Sequence, residues 1–378
     1  MSPEVLLWAR DVGWGAESEL TAFPKFDAWV THDAKPTLNE LTNFASRAGV
    51  PFGYMFLKEP PAWELPIPDF REGYDLAMGR PSADLMAVLN QSMNRQDWYR
   101  EYAERNGLPE VAVVGVAKDW GPTETAEAMR RDLHFEVHQR TGDWGAVRKH
   151  LLTAFEELGG LTVTTSMVAN NNKRPLDPKE FRGFALPDTL APLIFVNASQ
   201  TLNGQIFTIA HELAHIWRGR AGIGNEEPIS DAQNVIERWC NTVASQILVP
   251  KEDLAVNWPK VHHLEIPTAL DELARRYRCG TLVVLQALQR YQLEEFPNFA
   301  ATYAAEESRL NKLAGKKTDS SGGNFYNSQP YRVGERLSRA IIGDAREGRT
   351  TYAEGMKLMS MRSATTFDEY ARYLGGNH

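Results

Sequence analysis

The run His211, Glu212, Leu213, Ala214, His215 carries the spacing on which the chemistry of this chain rests. Side chains four apart lie on one face of an α-helix, so His211 and His215 can offer two imidazole nitrogens to a single zinc ion. Glu212, one step along, is turned by about 100° from that pair. It is badly placed to bind the same ion and well placed to take a proton from a water the ion polarises, as in a zinc hydrolase whose general base is a glutamate. Chance alone yields this pattern in roughly one chain of this length in a hundred, so the surroundings must decide. Ile206, Phe207, Ile209 and Ala210 lead in, Leu213, Ala214, Ile216 and Trp217 fill the interior, and Gly219 with Gly222 mark the end. That is the pattern of a helix buried in a core. Two histidines and a glutamate buried there without a cation would be costly, whereas on a surface helix they would be incidental.

A zinc site of this kind needs a third protein ligand. Residues 230–248 read as the next helix, opening on the N-cap candidates Ser230 and Asp231, packing through Ile236, Val243 and Ile247, and stopping at Pro250. Glu237 and Asn241 share another of its faces. Glu237 is assigned as third ligand, and Asn241 as the hydrogen-bond partner that orients a ligand. The plainer alternative is a surface ion pair between Glu237 and an arginine, which Trp239 and Cys240 on the same helix disfavour. Glu226 and Glu227 are rival ligands, set beside Gly224 and Pro228 in a loop that makes a less rigid platform.

The segments IFVN, QIFTIAHELAHIW and ERWCNTVASQILVP together resemble the ImmA/IrrE family of bacterial metallo-endopeptidases. The resemblance implies a zincin-like fold with zinc on His211, His215 and Glu237 and with Glu212 catalytic, a gluzincin-like arrangement. The stretch from Glu180 to Ala185 is similar to a segment of longer family members.

The elements that must position these residues are legible on either side. Residues 143–158 carry Val147, Leu151, Ala154, Phe155 and Leu158 on one helical stripe, end at Gly159 and Gly160, and pass into the β-branched run 161–165, a strand. Residues 193–197, after Pro192, read as a second strand. This strand is the candidate edge that would hold a substrate backbone by β-augmentation. Residues 267–291 read as helices of the domain's lower half, and the whole stretch 143–313 as the peptidase domain. The expected fold class is α+β, mostly α, with a small sheet in that domain.

With 378 residues, 43% of them hydrophobic, the chain can bury a sizeable core and is expected to hold two or three domains. The absence of any apolar run near twenty residues and of a charged-apolar-small leader predicts a cytoplasmic protein with no membrane contact. Cys240 and Cys279 make no disulfide framework; Cys240, beside Asn241, is read as a buried structural thiol. The net charge of −8 argues against a broadly basic nucleic-acid surface.

Residues 1–72 nevertheless read as five short helical pieces, at 5–11, 17–23, 26–31, 38–49 and 51–57, separated by Gly, Pro and polar residues. They are similar to an Xre-type helix-turn-helix domain through Trp29, the stretch Lys35-Pro36-Thr37-Leu38 and the closing VPFGYMFLKEPP. The departure is chemical. Six Lys plus Arg stand against eleven Asp plus Glu, a net of −5, and the recognition stretch 24–32 offers only Lys25 as a basic donor. Phosphate contact needs such donors, so weak or site-specific DNA binding stands beside a protein-binding role for this domain.

Residues 73–142 read as a helical connecting region with helices at 83–91, 96–105 and 123–133 and a strand-like run at 110–117. His134 and His138, four apart, read as exposed histidines at a helix end, since no acidic or Cys partner follows at ligand spacing. His262 and His263 are weaker candidates for polarising a scissile carbonyl, because adjacent residues do not share a helix face. Residues 314–329 read as a linker, and 330–378 as a helical C-terminal unit, amphipathic at 333–346 and 352–359 with a short helix at 366–373. That tail resembles the C-terminal unit of longer family members found beside PIN-like toxins.

Two functions fit this pattern. One is a zinc endopeptidase that cleaves or controls a partner, a repressor or a toxin-antitoxin component, through water activated by Glu212. The other is an antitoxin-type protein that neutralises a toxin or represses transcription, with proteolysis secondary or absent.

Overall fold

The computed structural model describes residues 1–14, 20–69, 80–224, 234–314 and 325–375. The architecture is α+β and mostly helical, with one four-stranded sheet, and the chain divides into two compact units.

The smaller unit takes in Met1–Pro66 and described parts of Asp75–Gln91 and Met167–Leu176. Helices α1 (Pro3–Trp14), α2 (Phe26–Val30) and α3 (Leu38–Ala48) and a 3-10 turn at Phe52–Phe56 enclose an aromatic core. Phe44, fully buried, has the rings of Trp14, Phe23, Phe26 and Trp29 within 5.2–6.1 Å. α3 opens on a capping box between Thr37 and Glu40 and closes on Gly49 at φ 72°, a left-handed position that favours glycine. The helical piece expected at 17–23 is not found in its described part. Residues 17–19 lie outside the described residues, and residues 20–23 form a turn, Pro24 biasing Phe23 away from helical backbone.

Helix α4 (Ala83–Arg105) is continuous where two helices were expected, because residues 92–95 contain no helix breaker. Its Arg95 is buried and donates to the Leu358 carbonyl at 2.8 Å. The strand-like run at 110–117 is instead a series of turns with Gly115 at φ 71°. Its amides do other work: Gly115 N donates to Ile216 O, which also accepts from the Gly219 amide, and Ala117 N donates to Trp217 O, so both meet carbonyls in the last turn of a helix.

In the larger unit, helices α5 (Pro122–Asp132) and α6 (Trp144–Glu157) precede strand β1 (Leu161–Thr165). The sheet is completed by β2 (Gly183–Leu186), β3 (Leu193–Asn197) and β4 (Gly222–Gly224) in the order β1-β3-β2-β4. β3 pairs parallel with β1 and antiparallel with β2, so it lies inside the sheet and cannot be the free edge it was expected to be. All five of its residues are buried, and continuous burial is what an interior strand requires. β4 is the strand beyond β2, and its Ile223 amide donates to Pro68 O at 3.1 Å.

Helix α7 (Leu202–Arg218), bearing the two histidines, passes through the core with Gln205 to Trp217 buried all round. It starts on Thr201, whose hydroxyl accepts from the Gly204 amide, and stops on Gly219 at φ 70°. Helices α8 (Val235–Leu248), α9 (Lys251–Val261), α10 (Ile266–Tyr277), α11 (Thr281–Arg290) and α12 (Phe299–Ala314) follow. α9 and α12 were not expected from the sequence. The expected linker at 314–329 is only partly a linker. Ala314 closes α12, residues 315–324 lie outside the described residues, and α13 (Phe325–Val333) has begun by residue 325.

Helices α14 (Glu335–Arg346), α15 (Tyr352–Leu358) and α16 (Ala364–Gly375) form the C-terminal unit around Leu337, Ile341, Phe367 and Tyr370. Gly334, at φ 75°, lies against β1 so closely that a Cβ there would stand 2.6 Å from Thr162 O and 2.7 Å from Glu156 Oε1. Among the described residues, no helix is long and apolar enough to cross a membrane.

Candidate metal centre

α7 and α8 pack side by side in one hydrophobic core, and this pairing brings Glu237 to the two histidines. All three residues are buried, none more than 5% exposed. α8 starts at Val235, with Asn234 as N-cap accepting from the Ile236 amide at 2.8 Å; Ser230 and Asp231, the expected cap residues, lie outside the described residues. Its other end is held by two arginines from distant sequence. Arg140 donates to the carbonyls of Ile247, Leu248, Tyr277 and Phe135, and Arg130 to that of Gln246, so the last turn of α8 has its free carbonyls occupied.

The geometry at the centre is tight. His211 Nε2 lies 3.0 Å from one oxygen of Glu237, His215 Nε2 lies 3.2 Å from the other, and the two Nε2 atoms are 3.2 Å apart. The far sides of the rings decide what these nitrogens carry. His215 Nδ1 donates to the Arg220 carbonyl at 3.0 Å, and His211 Nδ1 to Asn241 Oδ1 at 2.9 Å. Both neutral rings therefore direct an Nε2 lone pair inward. Neither carboxylate oxygen of Glu237 meets a donor in hydrogen-bond geometry. Three electron-rich groups thus face one another out of water, an arrangement that repels itself unless a cation sits between them.

The triangle has the right size. A tetrahedral zinc ion with bonds of about 2.0–2.1 Å separates its ligand atoms by about 3.3 Å. Among the described residues, His211, His215 and Glu237 form a cluster able to hold a metal ion. The set of two nitrogens and one carboxylate, with ring orientations fixed from behind, suits zinc and leaves a fourth position open. Burial opposes the charge on Glu237; with no cation bound, protons on the Nε2 atoms of His215 and His211 would take the cation's place and hold its carboxyl well below the ordinary value.

Glu212 lies beside this triangle and outside it. It is 3% exposed, its Oε2 has no hydrogen-bond partner among the described residues, and burial pushes its carboxyl up to about 7 against the pull of His211 and His215. A carboxyl poised near neutral pH with one oxygen free of a fixed partner is suited to take and return a proton. Gly183 of β2 makes room for it: a Cβ there would stand 2.6 Å from Glu212 Oε1 and 2.8 Å from Phe195 O.

The other candidates are placed elsewhere. Glu226 and Glu227 lie outside the described residues. Cys240 is fully buried on α8, where burial pushes its thiol above the ordinary value, and it is not in the metal cluster. His134 and His138 are exposed after α5. His262 and His263, at the end of α9, are exposed as well and do not line the chamber over the metal cluster, so they are not placed to polarise a carbonyl there. Sequence reasoning passed over Arg140, Arg130 and the Arg220 carbonyl, and marked Gly183 only as part of the stretch from Glu180 to Ala185. No local pattern marks them, since each acts across 5 to more than 100 positions of chain.

A comparison with curated proteins finds no match. Residues 333–373, which comprise α14, α15 and most of α16, match the family model described as a Domain of unknown function (DUF8813). Residues 156–289, which hold all four strands and carry His211, Glu212, His215 and Glu237, match that of the IrrE N-terminal-like domain of the M78 peptidases.

Proposed function

We propose that this protein is a cytoplasmic zinc-dependent endopeptidase that cleaves or controls a partner protein, a repressor or a toxin-antitoxin component. The observation that carries the reading is the convergence of His211 Nε2, His215 Nε2 and the Glu237 carboxylate within 3.0–3.2 Å, beside a glutamate with an unpartnered oxygen. A zinc ion bound there supplies Lewis-acid activation of a water and of the peptide carbonyl. The chain's own residues do the rest. Asn241 and the Arg220 carbonyl hold the histidine rings in the tautomer that binds metal. Glu212 Oε2 takes the proton of the attacking water and returns it to the leaving amine. The buried walls of α7 and β2 exclude bulk water, which disfavours the charged form of the Glu212 carboxyl.

A second reading, sequestration of a partner without cutting, draws on the smaller unit. In α2, Phe26 and Trp29 are spent on the core, so Lys25 remains the only exposed cation of the stretch 24–32. Leu38 at 65% and Phe56 at 63% exposure suit a protein partner better than a phosphate backbone. Glu212→Gln separates the readings: it should retain zinc yet abolish cleavage of the partner. Partner neutralisation that survives the substitution unchanged would favour sequestration. For the smaller unit, titrating salt against binding to promoter DNA should give a log–log slope of no more than about 2, each phosphate contact adding about 0.9. A slope near 5 would make it a DNA reader.

A further inference from the structure

The chamber directly over His211 and Glu212 is about 10 Å³, bounded by Arg182, Phe207, Thr208 and Gly224. That is room for roughly one water. Arg182 and Phe207 also line a neighbouring cleft of about 580 Å³, so the two spaces share a wall. The larger one is of the size that takes a bound ligand group, roughly 300–1,000 Å³.

Its lining is selective. α7 contributes Gly204 and Phe207, α11 contributes Leu282 and Val283, and α12 contributes Tyr303 and Leu310. Among the described residues the charged ones are Arg182, at the wall shared with the metal chamber, and Glu307 on α12, which balance to zero, and Ser199, Gln200, Thr201, Asn203 and Asn311 add uncharged polar groups. A charged side chain entering this space would lose water without a matching excess of opposite charge. An aliphatic or aromatic one would lose only unfavourable contact with water. α12 leaves apolar surface there uncovered, with Leu310 half-buried and Leu313 50% exposed. The backbone of Arg182 is fixed from both sides, its amide donating to Gly224 O at 3.1 Å and its carbonyl accepting from Asn197 N and Gln200 Nε2.

We propose that this cleft is the specificity pocket of the peptidase, accepting a large uncharged apolar side chain of the protein substrate next to the bond being cut, while Arg182 at the shared wall binds a backbone carbonyl of that substrate. The proposal rests on the peptidase reading above and adds the substrate class to it.

The test uses two end-capped fluorescent hexapeptides that differ only at one central position, Leu or Asp, titrated by anisotropy into zinc-loaded Glu212→Gln protein so that turnover does not intervene. The Leu peptide should bind about 10- to 100-fold tighter. Leu310→Lys, at a half-buried position, should erase that preference and favour the Asp peptide. Arg182→Gln should weaken both peptides alike by roughly tenfold, with partial recovery in Arg182→Lys. Equal binding of the two peptides, no binding of either, or an unchanged preference in Leu310→Lys would overturn the pocket. Arg182→Gln without effect would overturn the carbonyl contact. Wild-type protein that cuts its partner while the peptides bind equally would remove the pocket and leave the peptidase standing. An intact Leu preference in a protein that cuts nothing would support the cleft and remove the peptidase.

Discussion

Glu212 on α7 and Glu156 on α6 are two carboxyls that burial pushes up to about 7, one at the metal cluster and one where the C-terminal unit meets the sheet. Their surroundings differ in one respect that decides their use. Glu156 has both oxygens occupied: Oε1 accepts from the Thr162 hydroxyl at 2.5 Å and Oε2 from the Arg336 amide at 3.1 Å. Arg336 also donates to the Glu156 carbonyl, and its Nε to the Tyr99 hydroxyl. Glu212 has an oxygen without a partner beside three converging ligand atoms. A raised pKa by itself therefore marks burial, and the hydrogen-bond partners separate a group that holds the fold from one that can exchange a proton.

The largest effect that would break this comparison is catalytic. Glu212→Gln should lower kcat for partner cleavage by about 10²- to 10⁴-fold with metal content unchanged. Glu156→Gln should leave kcat within about twofold, and a loss comparable to that of Glu212→Gln would place both acids in the reaction.

A second expectation concerns pH and stability. Because the folded state holds the Glu156 proton up to about 7 while the unfolded chain releases it near the ordinary value of 4.5, the folded protein binds more protons between those limits. Stability contributed at this position should therefore fall as pH rises from about 4.5 to 7. The change is at most about 3 kcal/mol and is reduced by the partial exposure of the group. Glu156→Gln should flatten that part of the profile in denaturant titrations. An unaltered slope would mean that the carboxyl ionises normally.

The smallest effect sharpens the other side of the comparison. Asn241→Ala removes the acceptor behind His211 and should weaken zinc binding by about 10- to 100-fold in competition with a chelator. Unchanged affinity would show that the ring needs no such support.

Legibility in the sequence followed the range of the interaction. The stripe Val147, Leu151, Ala154 and Phe155 and the β-branched run 161–165 are local periodicities, and α6 and β1 lie where those patterns put them. The run 110–117 has the residue types of a strand, yet its amides are taken by the end of α7 and it forms turns. Residues 193–197 form a strand, but whether a strand is an edge or interior depends on β1 and β2, far away in sequence. β2 and β4, short and glycine-bearing, have too little periodicity to be read alone.

The candidate site divides along the same line. The placement of His211 and His215 on one helical face, and of Glu212 off it, follows from 3.6 residues per turn and needs nothing beyond the sequence. The same spacing puts Glu237 and Asn241 on one face of α8. Bringing those faces together took the packing of α7 against α8, with Arg140 and Arg130 holding the end of α8 through carbonyls up to 116 positions away. So did the backbone of Gly183, which leaves space for Glu212, and the cleft that shares Arg182 and Phe207 with the metal chamber. Helical period is a property of neighbouring residues, whereas distance, burial and shared walls are properties of segments that meet only once the chain is folded.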